Sequence, residues 1–165
     1  MAIDPSGRIL ITGFAGFDIV GFVARLEPDG DLDPTFATAG DDGIYFFDEA
    51  FPTAETRALD LVRQSNGAIV AVGSIVQGLA SQGDGFGIEA WLVLRLTDGG
   101  ALDGTFNPGG SPPGTRLLFQ GSAFAEARAV ALQGNKLIVV GIFIEEACCD
   151  GPGANGLITA QFFAP

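Results

Sequence analysis

Histidine is absent from the 165 residues. Ser-His-Asp and Cys-His nucleophilic catalysis, His-ligated zinc and imidazole acid–base work are therefore excluded within this chain. Positive charge is scarce: eight Lys and Arg stand against twenty Asp and Glu, a net charge of −12. Nucleic acids and anionic membranes attract Lys/Arg clusters, so neither is an expected partner. The only two cysteines, Cys148 and Cys149, are adjacent and do not read as a disulfide framework. The longest apolar run, Leu137–Ile144, is broken by Gly141 and falls far short of the roughly 20 residues of a bilayer helix. The opening MAIDPSGRIL has neither the basic nor the apolar region of a signal peptide. The chain is thus expected to be cytosolic, or exported by a signal in other sequence. Charged residues are only 17% against 47% hydrophobic, which excludes disorder. The 25 glycines and 9 prolines demand many turns.

What is present repeats. GRILITGF (7–14), GAIVAVGS (67–74) and NKLIVVGI (135–142) are one pattern, a turn residue, a β-branched run, a glycine and a loop. Their glycines, Gly13, Gly73 and Gly141, lie 60 and 68 residues apart. A second motif, VARLEPDGDLDPTF (23–36), recurs as VLRLTDGGALDGTF (93–106) at an offset of 70, with a degraded third copy in LITAQF (157–162). A third motif, ETRALDL (55–61), matches EARAVAL (126–132) at an offset of 71. Motifs that recur in one order indicate a repeat architecture.

Each motif reads as a strand, and the nearly continuous apolar runs predict strands covered on both faces. Asp29-Gly30 and Gly99-Gly100 suit tight hairpin turns. Helix is nearly absent from the pattern. Strands a to d per unit give an all-β chain of antiparallel four-stranded units, the pattern of β-propeller blades, with about 2.5 blades here. The units are 1–50 (partial), 51–121 (full) and 122–165 (partial). The first is expected to lack strand a and the third strand d. Ten strands cannot close a ring of the usual 4–8 blades, and joining two copies end to end would duplicate strands b and c. The chain is therefore expected to be an excerpt of a longer polypeptide, or to pair its open edges with other chains. The predicted core comprises Ile9, Ile11, Ile69, Val70, Val72, Ile138 and Val140, with Phe36 and Phe106 in equivalent sites.

DPSGRILITG followed by FVARLEPDGDLDPTF resembles the delta-60 repeat, a β-propeller-like repeat of bacterial proteins. The resemblance covers nearly the whole chain as one complete and two partial copies. It implies a propeller architecture and an extracellular or cell-surface location, and it brings no catalytic motif. The third copy departs from it, with Gln161 in place of arginine.

Candidate chemistry is sparse. Asp29, Asp31 and Asp33 alternate as in the opening of a calcium loop, but the sixth and twelfth positions are Pro34 and Gly40, where calcium needs glycine and a carboxylate. A solvated acidic hairpin tip is the favoured reading. Arg25, Asp33 and Thr35 recur as Arg95, Asp103 and Thr105. A set present in each unit is expected to fix a turn, the arginine clamping the carboxylate. Arg57 and Arg128 are read in the same way. Asp60 does not repeat, its counterpart being Ala131, and Glu89 opens the strand that holds Trp91. Such a carboxylate pair could serve glycoside hydrolysis without histidine, although a salt bridge or exposed edge is favoured. Trp91 is read as core before sugar platform. Glu145, Glu146 and Asp150 surround the two cysteines and disfavour a reactive thiolate.

The favoured function is a non-enzymatic binding or assembly module, part of a larger propeller or multi-chain complex. The alternative is a carboxylate-dependent glycoside hydrolase or lyase on the same scaffold. No cofactor and no metal are expected. The expected partners are proteins or neighbouring blades, with carbohydrate as a further option. Variable loops on a repeated scaffold are the natural contact surface. They place the candidate contacts at Gln77, Gln82, Asp84, Glu89, Trp91, Glu145, Glu146 and Asp150. The two loops, 76–87 and 145–156, are expected on one side of the blades.

Overall fold

A computed structural model of the chain describes residues 1–38, 42–77, 88–122, 124–144 and 155–163; for 77, 88, 119–122 and 155–163 the description is of the backbone. Among these residues eleven strands follow one another: β1 (Ala2–Ile3), β2 (Ile9–Ala15), β3 (Val20–Leu26), β4 (Ile44–Phe46), β5 (Glu55–Arg63), β6 (Ile69–Gln77), β7 (Ile88–Leu96), β8 (Thr115–Ser122), β9 (Phe124–Gln133), β10 (Lys136–Ile144) and β11 (Asn155–Phe163). The one helical element among the described residues is a 3-10 turn at Phe47–Glu49. The strands form three antiparallel sheets ordered β1-β2-β3-β4, β5-β6-β7-β8 and β11-β10-β9. These are blades of a β-propeller, each a meander in which neighbours in sequence are neighbours in space.

The repeated glycine of the b strand has a steric cause. β5 carries a bulge between Ala58 and Asp60 opposite Gly73, and β9 carries one opposite Gly141. The extra residue pushes the neighbouring backbone inward. A Cβ on Gly73 would lie 1.8 Å from the Arg57 carbonyl oxygen, and one on Gly141 2.2 Å from that of Glu126. Only glycine accepts that approach.

The blades stack face to face around two cores. Leu10, Val23, Phe36, Tyr45 and Phe47 of the first blade meet Ile69, Ala71, Leu92 and Leu94 of the second. The opposite face of the second blade, with Val70, Val72, Trp91 and Val93, meets Ala125, Ala127, Leu137 and Val139 of the third. The central strand β6 is thus buried on both sides, as its unbroken apolar run predicts.

Four expectations need correction. Ile9, Ile11, Ile138 and Val140 are only partly buried, whereas Leu10, Leu137 and Val139 are fully so. A continuous apolar run predicts cover on both faces, but the outer blades have one neighbour each here and bury one face. Second, the first blade does not lack strand a. Ala2–Ile3 pairs with Leu10 and Ile9 of β2, and two residues are too few to show a period. Among the described residues eleven strands replace ten, and the objection that joined copies would duplicate strands no longer holds for the first blade. Third, the match of 55–61 to 126–132 at an offset of 71 is not a structural equivalence. Ala58 sits opposite Gly73 and Ala127 opposite Gly141, which makes the offset 69 and gives Asp60 the counterpart Ala129. A two-residue slide preserves the side-chain alternation of a strand, so periodicity cannot detect it. Fourth, the same register puts Glu126, not Arg128, at the position of Arg57.

Phe106 is 4% exposed between the second and third blades. Phe106→Ala is expected to lower the unfolding free energy by about 3–5 kcal/mol in urea titrations. A loss below about 1 kcal/mol would place the ring outside the core.

Candidate functional site

The repeated Arg–Asp–Thr set is a turn clamp. Val23–Leu26 runs into the tight turn at Glu27–Gly30, closed by Gly30 N–H donating to the Glu27 carbonyl at 3.0 Å. Beyond it the chain doubles back, so that Leu26 bridges Leu32. Arg25 Nε donates to Asp33 Oδ2 at 2.6 Å and Arg25 Nη2 to Thr35 Oγ1 at 3.1 Å. The Thr35 amide and hydroxyl both donate to Asp33 Oδ1, at 2.8 and 2.6 Å. In the second blade Arg95 Nε reaches Asp103 Oδ2 at 2.8 Å and Arg95 Nη2 reaches Thr105 Oγ1 at 2.9 Å. The guanidinium planes lie over Phe36 and Phe106, 4.8 and 5.0 Å from the ring centroids. Both arginines are buried, so each is held by its hydrogen bonds and its stacking as well as by charge.

This geometry fixes the titration of the clamp. Burial alone raises the Asp33 carboxyl. The bonds from Thr35 and Arg25 outweigh it and bring the carboxyl down to about 2. Asp103 is lowered in the same way, against burial, by Thr105 and Arg95. Asp33 is turned inward, while Asp29 and Asp31 are exposed at the tip, where Asp29 accepts the Asp31 amide at 3.2 Å. The three alternating carboxylates therefore do not converge.

Asp60 and Glu89 are brackets between blades. Asp60 Oδ2 accepts the Val130 amide of β9 at 2.9 Å while its Oδ1 accepts the Leu61 amide. Glu89 Oε2 accepts the Ala125 amide of the same strand at 2.9 Å. The two amides are five residues apart on β9, on the order of 16 Å at 3.3 Å per residue. That holds the carboxylates well beyond the roughly 5–9.5 Å span of a glycosidase pair. Trp91 is fully buried and donates its indole N–H to the Ile142 carbonyl at 2.7 Å. It is core, and a third bracket between the same blades.

Gln77 ends β6, paired with Ile88, and its side chain lies outside the described residues. Gln82, Asp84, Glu145, Glu146, Asp150, Cys148 and Cys149 also lie outside them. So do most of the two b–c loops. The strand ends that carry these loops meet at one rim, where Glu89 and Trp91 near the start of β7 reach Ala125 and Ile142. At the corresponding rim between the first two blades, a groove of about 350 Å³ is lined by Phe17, Asp18, Asp48, Thr53 and Glu55. Among the described residues no three His, Cys, Asp or Glu side chains group as metal ligands.

Some brackets gave no signal in the sequence. Thr56 is buried in β5, accepts the Gly21 amide through Oγ1 at 2.9 Å and donates its own amide to Ile19 at 2.8 Å. Asp4 caps the first a–b turn, accepting the Ser6 and Arg8 amides and Arg8 Nε. The Asp-Pro-Ser-Gly order could have revealed this Asx-type turn.

Lowering the Asp33 pKa links the clamp to stability. Its stabilisation is complete above the ordinary carboxylate range and is lost as pH falls toward about 2. Between about pH 5 and pH 2 this carboxyl accounts for about 2 kcal/mol. Asp33→Asn should therefore show a shallower loss of unfolding free energy than the unaltered chain in urea titrations over that interval. Parallel pH profiles would contradict the clamp.

No curated protein matches the chain. The family described as "Domain of unknown function (DUF5122) beta-propeller" matches residues 5–36, the stretch from the first a–b turn through β2 and β3 to the end of the first clamp. That match supports a propeller-type repeat.

Proposed function

We propose that the chain is a non-enzymatic assembly module of the delta-60 repeat kind, built from units 1–50, 51–121 and 122–165 and working at or outside the cell surface. The observation that carries this reading is the outer face of the first blade. Ile9, Ile11, Phe22, Leu26, Ile44 and Phe46 share that face by strand register and are only half-buried. The corresponding face of the second blade, with Ile69, Ala71, Leu92 and Leu94, is fully buried against a neighbouring blade. The outer face of the third blade likewise leaves Ile138, Val140 and Ile142 partly exposed where Val70 and Val72 are covered in the second. Contiguous apolar faces of this kind mark interaction sites. Further blades stacked on these faces would bury them as the internal interfaces do.

The location rests on the resemblance alone. Among the described residues, Asp60 and Glu89 are engaged in brackets between blades, which favours assembly over hydrolysis.

Light scattering of the 165-residue chain should give a mass above that of the monomer. Phe22→Asp, which places a charge on the outer face, should lower it toward the monomer. A monomer at every concentration would overturn the assembly reading.

A further inference from the structure

The clamp of the first blade has a third arm. Arg25 Nη1 donates to the backbone carbonyl of Asp98, in the turn that follows β7 of the second blade. Beside it the Ala37 amide donates to the Gly99 carbonyl at 2.9 Å. Phe36 lies so close to Gly100 that a Cβ there would come within 2.8 Å of the ring and 2.6 Å of the Ala37 amide nitrogen. The interface is therefore a socket made of arginine, phenylalanine and a positive-φ residue (Ala37, φ 53°). The plug is the glycine turn of the next blade.

The second blade carries the same socket. Arg95 is fixed by Asp103 and Thr105 as Arg25 is by Asp33 and Thr35. Phe106 stacks on it, and Asn107 repeats the positive φ at 44°. Yet Arg95 Nη1 is buried with no hydrogen-bond partner among the described residues, although Arg95 is only 2% exposed. An unmatched buried donor of a charged group is costly and calls for an acceptor. By the geometry of the first interface, the plug it calls for is a glycine turn of a further unit. A second observation falls in the same place. The first and second blades have a fourth strand, β4 and β8, beyond β3 and β7, whereas β11 pairs only with β10 among the described residues. Turn and fourth strand are one continuous segment in the two blades that have them.

We infer that the Arg95 socket and the edge of β11 that has no partner strand among the described residues form one docking site. It receives a turn-and-strand segment of this repeat class, of the pattern Asp-Gly-Gly-x-Leu-Asp-x-Thr-Phe. The turn carbonyl satisfies Arg95 Nη1, its glycine lies against Phe106, and the following strand adds to β11 by main-chain hydrogen bonds. The occupant's chemistry follows from the chain's own second blade. Glycine is required because any side chain would strike the ring. This deepens the assembly reading by naming the partner of one edge, and it is separable from the stacking of outer faces.

The probe is a labelled synthetic peptide with the sequence of residues 97–119, titrated into the full 165-residue chain by fluorescence anisotropy. One peptide should bind per chain. Gly100→Val in the peptide should weaken binding by about tenfold or more, with no change made to the protein. Arg95→Lys in the chain, which keeps the charge but loses the guanidinium fork, should weaken it similarly. Absence of saturable binding would overturn the site, as would equal binding of the Gly100→Val peptide. If peptide binding fails while Phe22→Asp still lowers the assembly mass, the docking site falls and the assembly reading stands.

Discussion

A sheet buried on both faces governs the arrangement of this chain. β6 and β7 of the second blade supply Ile69, Ala71, Leu92 and Leu94 to one neighbour and Val70, Val72, Trp91 and Val93 to the other. Burial of that kind removes large apolar areas from water, at about 25 cal/mol per Å². It can be met only by another sheet whose apolar face points back. Each outer blade meets one such requirement and leaves its own second face half-exposed. The unmet half is the physical basis for reading the chain as an assembly element.

Polar groups add directional contacts to the apolar packing of the stack. Besides the interdigitation of side chains between facing sheets, Asp60 fixes Val130, Glu89 fixes Ala125 and Trp91 fixes Ile142. Thr56 does the same between the first two blades, at Gly21 and Ile19. A bulge such as the one between Ala58 and Asp60 interrupts the ladder and re-aims side chains. Asp60, at the edge of that bulge, can thus reach the next blade. Carboxylates that look catalytic by their failure to repeat are here specific to one interface, which is why they do not repeat.

The sequence made the blade legible because repetition and periodicity act together. Three copies of a β-branched run ending in glycine located β2, β6 and β10, and the Arg–Asp–Thr spacing identified the clamp before any distance was known. Three things were not legible, for separate reasons. Ala2–Ile3 is too short to carry a period. The pairing of β5 and β9 differs by two residues from the best letter match, and a shift of two leaves the in-and-out alternation intact. Burial of Ile9, Ile11, Ile138 and Val140 depends on how many neighbours a blade has, which no local pattern encodes. Among the site residues, Trp91 could be read as core, but the bracket roles of Glu89 and Asp60 depend on contacts across blades to residues 36 and 70 positions away.

The latch between blades also has a direction. One blade gives the guanidinium, the phenylalanine and the positive-φ residue; the next gives the carbonyls and the glycine of its turn. The two surfaces are different, so the contact is heterologous, and the second blade carries both halves. Such contacts extend one way only, and they stop when a ring closes or a half is missing. Arg95 marks the point on this chain where the donor half is complete and its acceptor is not among the described residues. The third unit, where the repeat has Gln161 instead of arginine, lacks the guanidinium from which the donor half is made. The polarity of the contact between the first two blades is thus written in residues that the third unit does not repeat.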